Sequence, residues 1–205
     1  MYADHVPTIN GAMRADIGTF KRGVMFAILS ARVQFHRVPA QCAELKERKH
    51  KANCLWGFKL GAYLHLEDNA EQIWRDACAA HDPIACMIVL TSIPGLGINK
   101  AGFVCQMLGH DIACLDTRNV KRAGLNMRAY TAHHKTSLRY PALIARYVAE
   151  TAGRAQELWD TWCNEVGRDT GLSGHAISLQ HVSTIVPARL RACNVAPTRY
   201  NAIPF

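Results

Sequence analysis

Asp116 closes the stretch TSIPGLGINKAGFVCQMLGHDIACLD, which begins at Thr91. A carboxylate held beside an anomeric carbon stabilises the positive charge that builds there as a glycosidic bond breaks, or activates the attacking water. The same residue precedes TRNVKRAG and is a good helix N-cap, a role worth about 1 kcal/mol. The two roles are compatible, because a cap is one way to hold a carboxylate still. Upstream, the IPGLG turn interrupts an apolar, helical pattern. Gly95 and Gly97 offer backbone angles that other residues adopt only at a cost, and glycine lets a phosphate approach the main chain. The N–H groups of Gly95, Leu96, Gly97, Ile98 and Asn99, at the positive end of the following helix, are a ready anion site. Leu90, Ile93, Leu96, Ala101 and Val104 fall where the two helices of a hairpin must pack. An ordinary helix–loop–helix corner uses the same Pro-Gly breaker.

Charge is unevenly placed in a chain of net charge +8. Residues 21–59 hold nine Lys/Arg against two acids, and residues 118–205 hold twelve against five. The middle, 60–117, reverses this, with two basic residues and seven acids. Two basic flanks suit a polyanion gripped at two places, although they also suit a solvated surface.

Eight Cys are scattered singly, most of them in apolar stretches, and read as small buried hydrophobes. No CxxC occurs, and no closely spaced Cys/His set matches zinc or a four-Cys iron–sulfur loop. No metal and no cofactor are therefore expected, and a reducing cytoplasm fits. No long apolar run marks a membrane span or a leader, so a soluble protein is expected in the compartment where it is made.

The elements that must position these residues read as helices, and the fold class is all-α. Strand signals are poor. Helices are expected over 22–35, over 42–66 with a break near Asn53, over 69–80 with Asp68 or Asn69 as N-cap, and over 82–90 behind Asp82 with Pro83 at the first position. Further helices are expected over 98–109 with Gly109 as the stop, 119–131, 141–167 and 178–186. The four Trp read as core, and Tyr130 and Tyr140 as candidates for stacking on a base. His133-His134 reads as a loop, and His175 and His181 complete no metal set.

Thr91 to Asn119, with Leu90 before it, resembles the core of the helix-hairpin-helix DNA glycosylase superfamily. Members carry a Leu-or-Ile-Pro-Gly-x-Gly hairpin, a helix with an early Ala, and an apolar segment ending in Asp-Thr. The spacing here is one residue shorter than in several members. FAILSARVQF (26–35) is similar to the family's apolar helix ending in Leu-Ser-Ala-Gln, whose Gln enters the DNA; Arg32 stands in the Gln place. The resemblance implies two helical lobes with a cleft between them. One lobe spans 21–117, with the hairpin at 86–108; the other combines 1–20 with 118–205. It further implies that Asp116 is the catalytic residue, beside a base flipped into the cleft. Members that also cut the backbone use a Lys just after the turn. Asn99 occupies that place, and Lys100 lies one position, about 100°, further round the helix, so lyase chemistry is not expected and Lys100 is assigned to a phosphate or solvent. The family's frequent iron–sulfur loop is absent.

Three functions follow from the resemblance. The first is a monofunctional glycosylase on double-stranded DNA, with Arg32 filling the vacated stack, Asp116 stabilising the sugar cation, and Lys100, Arg118, Lys121 and Arg122 on phosphates. The second is a phage-type enzyme that displaces pyrophosphate from a modified hydroxymethyl-uracil in DNA, which a basic pocket of Lys121, Arg122 and Arg128 would favour. The third is a non-catalytic DNA-binding or structural protein.

Overall fold

A computed structural model describes residues 1–126, 130 and 139–191. Arg128, the His133-His134 pair, Lys135, Cys193 and the Pro-punctuated tail lie outside these residues. All the regular structure of the described residues is helical, without a strand. The helices are α1 (Tyr2–Ala15), α2 (Ile17–Leu29), α3 (Val38–Arg48), α4 (Phe58–Ala79), α5 (Pro83–Thr91) and α6 (Ile98–Met107), then α7 (Thr117–Arg122), α8 (Tyr140–Thr151), α9 (Ala155–Thr170), α10 (Gly174–Ile185) and α11 (Ala188–Arg191).

The run of apolar residues in α2 leaves its C-terminal half, from Gly23 to Leu29, no solvent face, while Lys21 and Arg22 stay partly exposed. Phe20, Val24 and every residue from Met25 to Leu29 are buried, as a stretch of helix hydrophobic all round must be. It packs against α1, α3, α4, α6 and α10. The core is continuous from Val6 to Val186 and draws on residues either side of position 117. No helix among the described residues is long and apolar enough to cross a membrane.

Several boundaries depart from the expected ones, each for a local reason. Residues 2–15, given no helix from the sequence, form α1 despite Pro7, because Val6, Ile9, Ala12 and Met13 recur at helical spacing and are buried. The helix expected over 22–35 ends at Leu29, where side chains take over its last carbonyls. Ser30 Oγ donates to Ala27 O at 2.7 Å and Lys59 Nζ to Leu29 O at 3.0 Å. Arg32 then adopts φ 59°, a left-handed conformation uncommon outside glycine. The break near Asn53 is present, between α3 and α4. No helix begins at 69: α4 runs straight through, and Asn69 donates its side-chain amide to His65 O instead of capping. The stretch 141–167 is two helices, parted where Gly153 turns at φ 74° and donates its N–H to Asp111 O. The helix expected over 119–131 stops at Arg122, before Gly124 at φ 67°. The expected stop at Gly109 and the Asp82-Pro83 start are both present.

Candidate functional site

α5 and α6 pack against each other across the turn Ser92–Gly97. Asp82 caps α5 by accepting from Ile84 N and Ala85 N. Of the two turn glycines only Gly95 has a demanding conformation, at φ 76°, and a Cβ there would lie 2.4 Å from the Phe58 ring. Gly97 departs from expectation: at φ −80°, ψ 174° it is ordinary extended backbone. Leu96 departs too, since its N–H already donates to Ile93 O and its side chain is in the core. Ile98 is likewise buried, so it can offer a ligand only its backbone. No side chain caps α6; Lys100 N already donates to Gly97 O, so the amides of Ile98 and Asn99 are the ones that stay available.

The segment from Ile112 to Asp116, which leads from α6 to α7, is neither helix nor strand and is pinned from three sides. Gln106, itself buried, accepts from Cys114 N and donates to Ala155 O. Tyr147 Oη accepts from Leu115 N at 3.0 Å and donates to Ala113 O at 2.7 Å. Asn119 donates its side-chain amide to Cys114 O. Tyr147 reaches the segment only because residue 102 is Gly: a Cβ there would sit 2.3 Å from the tyrosine oxygen.

Asp116 therefore arrives on a fixed backbone. Its Oδ1 accepts from Arg118 N (3.0 Å) and Asn119 N (2.9 Å), so it does cap α7. Its Oδ2 accepts from the indole N–H of Trp162 on α9. Both oxygens are held, and the residue lines a cavity of about 950 Å³.

The cavity gathers residues from far apart in the chain. Arg32, Gln34 and Phe35 come from the segment after α2, Asn99, Lys100 and Phe103 from α6, Trp159 and Trp162 from α9, and His181 from α10. Its wall is aromatic: Phe35 stacks on His181 at 4.8 Å and meets Trp162 edge-on at 5.0 Å. Burial holds the His181 imidazole far below its usual range, at about 4, and its Nδ1 bonds Ile177 O at 3.0 Å. The ring is thus neutral at pH 7. Cys114 also lines the cavity, but burial pushes its thiol up to about 12, which removes it as a nucleophile.

Of the residues singled out from the sequence, Asp116, Arg32, Asn99, Lys100 and Arg118 meet at this cavity. Lys100 departs from the expectation that it points elsewhere. Its Nζ donates to Ser30 Oγ at 2.6 Å, inside the cavity lining. Asn99 carries a buried Oδ1 with no hydrogen-bond partner. Arg118 and Arg122 are ion-paired to α9, through Asp169 and Glu165, instead of standing free. Lys121 is exposed beside them. Tyr130 and Tyr140 are core residues, not stacking platforms. Trp56, read as core, is exposed.

Two residues escaped the sequence. Trp162 carries no local signal of its role, because its partner Asp116 lies 46 residues earlier, at the cap of another helix. Lys59 is fully buried, its charge held at the carbonyl end of α2 and 4.6 Å over the Trp56 ring, and burial lowers its pKa. Family models, curated proteins and solved structures give no match to this chain.

Proposed function

We propose that the protein is a DNA glycosylase-like enzyme that hydrolyses the N-glycosidic bond of a base flipped out of the duplex. The observation that carries this reading is Asp116, a carboxylate held at both oxygens on the wall of an aromatic cavity. An aromatic slot accepts the faces of a planar base, and a fixed carboxylate opposes charge that exists only in the transition state. The bond from C1′ to the base nitrogen breaks and water oxygen bonds to C1′; one water proton stays on the new C1′ hydroxyl and the other ends on the released base nitrogen, passing through solvent. Arg32, at the cavity rim with no partner among the described residues, occupies the vacated stack. The uncapped start of α6 receives a backbone phosphate. In this reading the two helical lobes meet along the cavity, and α5, its turn and α6 act as the helix-hairpin-helix.

The test is incubation of duplex DNA carrying a panel of damaged or modified bases with wild type and with Asp116→Asn. Release of a free base by wild type, lost in the variant, is the expected result. If neither protein releases a base while both bind DNA, the hydrolytic reading is wrong and a base-modifying or purely binding role replaces it. Salt separates these from no DNA role at all, since phosphate contacts make binding fall steeply with salt.

Lys100 supports a second reading, in which its amine attacks C1′ as the base leaves with a proton, and the Schiff base so formed loses a C2′ proton and expels the 3′ phosphate, cutting the backbone. Borohydride trapping of a covalent protein–DNA adduct, lost in Lys100→Met, would support it; absence of the adduct leaves the reaction with water. The displacement of pyrophosphate gains nothing from Arg122, which is paired with Glu165.

A further inference from the structure

Away from the cavity, three metal-binding side chains distant in sequence converge. Cys86 lies in the first turns of α5, Cys105 near the end of α6, and His110 just beyond α6. Their ligand atoms all lie within 4.8 Å of one another, and both cysteines are fully buried. The end of α6 explains how the histidine arrives. Gly109, at φ 91°, donates its N–H to Gln106 O, and His110 donates its N–H to Cys105 O. This is the Schellman pattern, which ends a helix by folding the chain back over its last turn. The fold-back returns His110 to the side of Cys105, while the packing of α5 on α6 brings Cys86 to the other side. His110 Nε2 is buried and has no hydrogen-bond partner. A buried ring nitrogen without a partner is costly and calls for an explanation.

We propose that Cys86, Cys105 and His110 form a zinc site that ties α5, α6 and the turn after α6 together. The donor set is the soft sulfur and imidazole combination that zinc prefers. Zinc bonds of about 2.3 Å to sulfur and about 2.0 Å to nitrogen set tetrahedral ligand atoms about 3.5–3.8 Å apart. Ligand atoms already within 4.8 Å of one another stand about 1 Å from that spacing. Two thiolates balance the charge of the ion, so the site buries no net charge. Three protein ligands leave the fourth position to a water. The unexplained His110 nitrogen becomes a ligand atom. The spacing of these residues along the chain, unlike a CxxC, gives no sequence signal. None of the three lines the aromatic cavity, so the zinc proposal does not rest on the reading of the cavity.

The test uses the full chain, reduced and stripped of metal, titrated with Co²⁺ as a spectroscopic stand-in and then with Zn²⁺. One equivalent of Co²⁺ is expected to give a sulfur-to-cobalt charge-transfer band and tetrahedral d–d bands, both erased by Zn²⁺. Free zinc about a hundredfold above its Kd is expected to raise the thermal midpoint by about 5–10 °C. Cys86→Ser and Cys105→Ser should each lose most of the charge-transfer band and the thermal shift. His110→Ala should keep a sulfur band but lose affinity by about 10–100-fold or more. Far-ultraviolet circular dichroism checks that each variant retains its helices. Three outcomes overturn the proposal: no cobalt band in the reduced wild type, a band that survives Cys86→Ser with Cys105→Ser, or a Cys86–Cys105 disulfide in the isolated protein with no metal uptake after reduction.

Discussion

Asp82 and Asp116 begin their helices in the same way and stand in different worlds. Each gives one carboxylate oxygen to two backbone N–H groups of the first turn, at 2.9 and 3.0 Å in both cases. Asp82 is exposed, and its second oxygen has no protein partner among the described residues. The second oxygen of Asp116 meets Trp162 and faces an aromatic cavity. The difference shows that capping is a local property, whereas availability for chemistry is conferred by what distant elements place at the other oxygen.

The largest expected effect breaks the pair apart. Asp→Asn at either position keeps an acceptor for the cap, so both variants should fold; at 116 the amide nitrogen then faces the indole N–H of Trp162, which costs about 1 kcal/mol or more. At 116 the substitution removes the negative charge proposed to oppose the sugar cation, and base release should fall about a thousandfold or more. At 82 it should not change. Equal activities of the two variants in single-turnover base-release assays would mean that Asp116 is only a cap.

The same contrast marks how far the sequence could be read. Asp82-Pro83 and Gly109 were legible because caps and stops are decided by a few adjacent residues. Asp116 as a cap was legible for the same reason, and the helical class followed from periodicity. Trp162 was not, since its link to Asp116 spans helices. The turn at Arg32 was not either, because an arginine at φ 59° has no composition cue, and the side chains that close the end of α2 come partly from Lys59, thirty residues on. Lys100 was misplaced by counting residues round an ideal helix, which ignored how far its flexible stem reaches toward Ser30. Gly97 was overread, since a glycine may sit in a conformation any residue adopts.

The cavity side of the comparison also differs in its response to acid. His181 is held near 4 by burial, below the ordinary value of 6.5 it regains on unfolding. Its contribution is therefore fully present above pH 6.5 and is lost as pH falls toward 4, since the unfolded chain takes up the proton first. The loss amounts to about 3 kcal/mol. His5, also lowered by burial, adds in the same direction. Denaturant titrations from pH 7 to 4 should show this slope, and His181→Phe, a flat ring among Phe35, Trp159 and Trp162, should flatten it. An unchanged slope in that variant would assign the acid sensitivity elsewhere.

Trp162→Phe sharpens the contrast further by editing only the second oxygen of Asp116. An aromatic ring, smaller than the indole, remains beside Phe35 and His181, and the cap at Oδ1 is untouched. A hydrogen bond to a charged group contributes about 1.5–3 kcal/mol. Losing the orientation it supplies should slow base release by about 10–100-fold, with the substrate concentration for half-maximal rate little changed. If the rate is unaffected, the two backbone amides alone fix the carboxylate.

The smallest effect compares the caps as caps. Asp82→Ala removes two accepted hydrogen bonds at an exposed helix start and should cost about 1 kcal/mol, or about 2–4 °C in thermal midpoint for a domain of this size. Asp116→Ala removes the same two bonds and also strands the indole N–H of Trp162, which is only partly open to water. An unsatisfied donor adds about 1 kcal/mol or more, so Asp116→Ala should be the more destabilising of the two. Repeating both substitutions in the Trp162→Phe background isolates that increment, because no indole N–H is left to strand. The gap between the two alanine variants should then close, and a gap that persists would place the extra stability of α7 in Arg118 and Arg122 on α9 instead.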